Sequence, residues 1–328
     1  MSIRVSSTLR WVLSPTVPDV PRSHAVASAF LRVLVGLLWL YNVSWKRPPD
    51  FGQDRDNGLW HFTLAAVENP VFPPYSWVVE HLVLPVFPLF GWGVLVAETA
   101  LAVMLLTGSF VRLAALLGVA QSLAIGLSVA QTPGEWPWSY WMMIGIHVVL
   151  LFSAAGSVLA VDAWRARPRR DPRHRRLLPL VWGTVTVVAG VVALALSLGD
   201  PLAGRGAALG GPGLSISLGS YNLLGALVLV LVGALLVVMA VTANRGPGKV
   251  AAAVAAVAAV SIYLQLPFTS SWLGGTNTSA AFLVCAGVIG WVGATAARET
   301  ADRAGPPGTG PETATVDGTG AEPRPVHG

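Results

Sequence analysis

The sequence predicts an all-α, polytopic membrane protein of about eight transmembrane helices in two four-helix groups, with both termini cytoplasmic. Three observations carry this expectation. Hydrophobic residues make up 54% of the 328-residue chain and charged residues only 11%, with a mean hydropathy of +0.63, too apolar for an ordinary water-soluble domain. Apolar runs long enough to cross a hydrocarbon core of about 30 Å recur along the chain. Basic residues gather between them, most densely in RARPRRDPRHRR at residues 165–176, which marks that connection as cytoplasmic.

The apolar runs occupy residues 27–45, 85–107, 110–130, 137–161, 177–198, 218–242, 250–266 and 280–297. Threading outward from the basic linker places the N-terminal segment 1–26 and the tail 298–328 on the cytoplasmic side of a cell membrane. Arg112, Arg245, Lys249 and Arg298 then lie inside, while Lys46, Arg47, Arg55 and Arg205 lie outside, as the positive-inside rule requires. Residues 1–23 lack a secretory cleavage pattern, so the first helix is expected to be retained. The tail, rich in Gly, Pro and Thr, is expected to be disordered. Residues 27–164 form a first bundle and residues 177–297 a second membrane region.

The longest outer connection, residues 46–84, is no plain polar loop. Residues 59–67 and 75–84 mix apolar and polar groups at helical spacing around the NPVFPP break, which predicts two short helices at the outer membrane surface. They either cap a cavity or fill the outer interface.

Several functions are set aside by composition. A net charge of +5 reflects orientation signals in a membrane protein, so no nucleic-acid partner is expected; the partner is the lipid bilayer. Cys285 is the single cysteine, which excludes an intrachain disulfide and a CxxC redox pair. No Walker or Rossmann glycine pattern and no paired metal-ligand spacing is present. One histidine at membrane depth is a poor haem ligand set. No metal site and no bound prosthetic group are therefore expected.

The run 137–161 carries the most information. Trp136, Trp138, Tyr140 and Trp141 cluster at its outer end and arginines follow its inner end, which assigns its direction. His147 lies about 15 Å in from the aromatic end at the helical rise. An ionisable group at such depth faces protein or a water-filled cavity. Glu98 sits near the middle of the run 85–107, also about 15 Å from either surface, where a carboxylate takes up a proton or finds a partner. His147, entering from the same side, is the expected partner. Such a pair suits proton transfer to a quinone or proton-coupled transport, or it only satisfies itself in packing. Glu98 and His147 are the candidate catalytic residues.

Arg32, Trp39 and Lys46 recur every seventh residue, which puts them on nearly one helix face. Lys46 either snorkels to the interface or, with Arg47, attracts an anionic substrate at the outer mouth. Lys46, Arg47, Trp39 and Trp138 are the candidate substrate-binding residues. Arg32, Arg112 and Asp162 share the inner depth and are expected to form an ion-pair network that fixes helix packing. The second half has few titratable groups. Its Tyr221, Asn222, Tyr263, Gln265 and the GGTNTS turn at residues 274–279 read as polar caps or as parts of a ligand site.

The first half resembles the DoxX superfamily, and more closely its DoxD-type membrane subunit of thiosulfate:quinone oxidoreductase. The resemblance is carried by LRVLVGLLWLYNVSWK with Arg32 and Lys46, by the following PPDFG, by GWGVLVAETALAVMLLTGSFVRLAAL with Glu98, Gly108 and Arg112, and by HVVLLFSAAGSVLAVDAW with Gly156 and Asp162. It covers residues 27–164. It implies a four-helix membrane module tied to sulfur or thiol redox reactions, a quinone as electron acceptor, a small anionic sulfur substrate and a second redox subunit. A non-enzymatic transporter or assembly scaffold of the same superfamily is the alternative. Residues 177–297 lie outside the resemblance.

Overall fold

The computed structural model describes residues 7–15, 20–54, 58–166, 172–266 and 272–296. The expected tail at 298–328 lies outside the described residues, as do residues 167–171 of the basic linker. Seven described helices are long and apolar enough to cross a membrane, and Pro137–Phe152 is a shorter apolar helix. The chain is a multi-pass helical membrane protein.

The N-terminal helix α1, Ser7–Leu13, precedes the first long helix α2, Arg22–Val43. α3, Leu59–Glu68, and α4, Pro73–Val78, follow. Of the two expected surface helices, the first is therefore present as α3. The second is not separate: α4 continues through a π turn, Val79–Val83, and a 3₁₀ turn, Leu84–Val86, into α5, Phe87–Thr107. The prolines at 85 and 88 cause the irregular turns, since each lacks the N–H that a regular helix would use. α6, Val111–Val129, returns after a left-handed turn at Gly108.

The run expected as one helix over 137–161 is interrupted. α7, Pro137–Phe152, stops at an extended Ser153, and α8, Val161–Ala166, restarts the helix after an irregular stretch. The stretch SAAGSVLA contains no residue that packs laterally like Leu or Phe until Val158, and Leu159 adopts φ 45°. Its alanines are nevertheless buried, with Ala155 and Ala160 almost fully covered, while Leu159 is exposed.

The second half comprises α9, Pro172–Ser197, α10, Leu223–Thr242, α11, Arg245–Gln265, and α12, Asn277–Ala296. The all-α expectation needs one correction. Strands β1, Ala207–Gly211, and β2, Ile216–Tyr221, form an antiparallel hairpin between α9 and α10, so the apolar run 218–242 begins as strand and turns helical only at Leu223. The register shifts where Leu218 and Gly219 of β2 oppose the single Leu209 of β1, and Gly219 takes φ 102° there, a conformation that costs glycine little.

Helices pair through small residues, the usual solution where lipid is as apolar as leucine. A Cβ on Gly233 of α10 would reach 2.8 Å from Gly183 O of α9. A Cβ on Gly290 of α12 would likewise reach 2.8 Å from Gly248 O of α11. The two groups share one apolar core, running from Val35, Trp39 and Leu105 to Leu229, Phe282 and Ile289. Phe30, Leu89, Val96 and Phe152 are exposed on the outside of the bundle, as lipid-facing side chains must be.

Candidate functional site

At the Lys46 end, the first group of helices encloses a cavity of about 810 Å³. Its walls come from α2, the connection after it, α3, α4, α5, α6 and the start of α7. Aromatic and aliphatic side chains make up just over half of the lining, and polar or charged ones, Lys46, Arg47, Asp50, Glu98 and Glu135 among them, most of the rest.

Lys46 and Glu98 form the centre of the polar set. Both are 1% exposed, and Nζ lies 2.5 Å from Oε2. Oε1 accepts from Gln121 Nε2 at 3.1 Å. Lys46 does not snorkel outward. Its side chain folds back along the last turn of α2, donates to Asn42 O at 3.1 Å and lies 3.8 Å from the centre of the Trp45 ring. The C-terminal carbonyls of a helix are short of donors and carry negative partial charge, which draws the ammonium there.

The expected pairing of Glu98 with His147 is therefore corrected: the carboxylate takes Lys46 and Gln121. His147 is fully buried and does not line the cavity. Its Nε2 accepts from Trp39 Nε1 at 3.0 Å, and its Nδ1 lies 2.7 Å from Met143 O. Gly118 makes the slot for the ring, because a Cβ there would overlap the imidazole. The rotation of the two helices about their axes, not their length, sets these partners.

The other candidate residues divide. Trp39 and Arg47 line the cavity, and Arg47 is exposed at its edge. Trp138 is 53% exposed and lies outside the lining; Tyr140, two residues on, lines the wall and donates its hydroxyl to Glu135. Facing them, the hydroxyls of Tyr75 and Ser128 lie 2.9 Å apart. Gln121 and Ser122 were missed from sequence. The signal was available, since they are adjacent polar residues in the middle of the apolar run of α6.

Arg32 and Arg112 both lie within reach of the charge of Asp162, as the expected inner network requires, but among the described residues neither makes a direct ion pair with it. Asp162 accepts the backbone N–H groups of Phe110 and Val111, each at 3.0 Å, and pairs with Arg165 at 3.1 Å. It thus caps α6 from another element, a favourable position for an anion. Arg112 turns away to α1, donating to Trp11 O at 3.0 Å and Ser14 Oγ at 2.9 Å. Arg32, fully buried, donates to Leu159 O at 2.9 Å and Val158 O at 3.3 Å. It holds the irregular stretch between α7 and α8. Gly108 is needed twice here, for its φ of 68° and because a Cβ would overlap the Arg32 guanidinium.

The second half reaches the site as well. Asn222 caps α10, accepting from Gly225 N at 2.9 Å. Asn277 and Tyr263 instead bond to the first half, at Val43 O and Thr99 Oγ1. Among the described residues, no three His, Cys, Asp or Glu side chains converge as a metal site. The chain matches no family model, no curated protein and no solved structure with which it was compared.

Proposed function

We propose that this chain is a DoxD-like membrane subunit whose cavity binds a quinone. In this reading it works beside a second redox subunit that oxidises thiosulfate or another small sulfur or thiol compound at the outer face. Both termini are cytoplasmic, with the cavity opening outward; the basic residues 165–176 support that orientation. A quinone becomes a quinol by taking two electrons and two protons. The electrons come from the partner subunit; the Lys46 ammonium gives one proton to a ring oxygen, the Glu98 carboxylate relays the second from water at the cavity mouth, and water then reprotonates Lys46. The observation that carries the reading is the buried Lys46–Glu98 pair in the wall of a cavity lined just over half by aromatic and aliphatic side chains, which offers paired proton donor and acceptor to an uncharged, lipid-soluble ring. Because Lys46 is already neutralised, the sulfur anion is met on the partner subunit.

The test is thiosulfate-driven reduction of a short-chain quinone analogue in native membranes. Glu98→Gln and Lys46→Met each lower the rate by about 100-fold, the scale of a lost acid–base group. Undiminished rates in both variants discard the reading.

A second reading, proton-coupled transport, is favoured by the break at 153–160, since interrupted helices commonly build transport sites. The break lies against Arg32, at the opposite end of the bundle from the cavity. Arg32→Gln would abolish solute-driven acidification of proteoliposomes under that reading and leave quinone reduction unchanged under the first.

A further inference from the structure

We propose that the second group of helices is a positioning element for the Lys46–Glu98 pair, with Asn277 setting the backbone of Lys46 and Tyr263 setting the turn of α5 that carries Glu98. This goes beyond the quinone reading and does not depend on what occupies the cavity.

Asn277 is the first residue of α12 and is 3% exposed. Its side-chain amide donates to Val43 O at 3.2 Å and also to Lys46 O. An amide carries two N–H donors, so both bonds form at once. Val43 closes α2, where carbonyls lack intrahelical partners, and Lys46 follows three residues later. The side chain is free for this task because α12 is capped by its neighbour. Thr276 O accepts from Ala280 N at 3.1 Å, and Thr276 N donates to Ser279 Oγ at 3.0 Å. The positive N-terminus of α12 also meets the negative C-terminus of α2, an attractive arrangement of helix dipoles.

The other member of the pair is held separately. The Tyr263 hydroxyl of α11 lies 3.1 Å from Thr99 Oγ1, one residue after Glu98. The N-terminus of α12 is anchored in turn: Ser279 Oγ donates to Ser220 O at 2.7 Å and accepts from Ser220 N at 3.0 Å. The β hairpin, α11 and α12 thus form a back wall that touches the backbone of Lys46 and, through Thr99, the neighbour of Glu98. A buried ammonium and carboxylate favour the charged state only while their geometry is kept. Once the Lys46 turn is released, the carboxylate left in that wall takes up a proton.

The experiment is infrared difference spectroscopy of the full chain in lipid near neutral pH, using Glu98→Gln to identify the Glu98 band. Wild type shows no protonated-carboxyl stretch from Glu98. Asn277→Ala, with helical content unchanged, shows that stretch, and Tyr263→Phe shows it at lower amplitude; adding Glu98→Gln removes it in both. Should Asn277→Ala fail to accumulate, Asn277→Ser replaces it beside Tyr263→Phe. Absence of the band in both members of the pair used overturns the proposal, as does a protonated Glu98 already present in wild type.

Discussion

The indole N–H of Trp39 donates to Nε2 of His147 at 3.0 Å, and this one bond decides the state of the imidazole. With Nε2 accepting, the proton of the neutral ring is on Nδ1, which donates it to Met143 O at 2.7 Å. Both nitrogens are spent in structural bonds. Trp39 lines the cavity and His147 does not, so the histidine supports the wall rather than working within the cavity.

The slot for His147 depends on Gly118. Gly118→Ala displaces the imidazole and costs roughly 1–3 kcal/mol, the scale of overpacking. Gly93→Ala is the control, because nothing lies within 4 Å of a Cβ there. Thermal unfolding in detergent should show a lowered midpoint for the first variant and an unchanged or slightly raised one for the second, since alanine is the better helix former.

Removing either charge at Lys46 or Glu98 leaves the other buried without its partner. Lys46→Met and Glu98→Leu are each expected to cost about 3–5 kcal/mol, and the double variant to recover most of that loss. A double-mutant cycle on unfolding free energies measures the coupling. Additive losses would contradict the contact at 2.5 Å.

Asp162 carries two backbone N–H bonds at the start of α6. Asp162→Ala strips both acceptors and is expected to cost about 1–3 kcal/mol for each donor left unpaired. Hydrogen exchange reads this locally: the amides of Phe110 and Val111 exchange faster, while those in the middle of α10 keep their protection.

Cys285 is fully buried, so the native chain resists labelling by a membrane-impermeant maleimide. Arg47→Cys supplies a thiol at an exposed position. Labelling of that variant in intact cells, without permeabilisation, is the outcome expected for an outward-facing cavity. Labelling only after permeabilisation would reverse the assigned orientation.

Much of the site could be read without coordinates because depth is a one-dimensional property. Counting along α5 and α7 places Glu98 and His147 well inside the apolar layer, and the spacing of Arg32 and Trp39 places both on the buried face of α2. Choice of partner is a different matter. It depends on how each helix is rotated against its neighbours, and on Lys46, beyond the end of α2, folding back along that helix. Likewise, SAAGSVLA at 153–160 is apolar enough to continue a span, and its departure from helix comes with tertiary bonds from Arg32.

Chain composition and the lengths of its apolar runs were enough to establish a multi-pass helical protein, because transfer into lipid is summed over a segment whatever its neighbours are. The pairing of Glu98 with Lys46, the confinement of His147 behind Trp39 and the reach of Asn277 across 231 positions to Lys46 required the folded bundle. Those contacts are short-range and directional, so they exist only once helices distant in sequence have docked at one particular rotation.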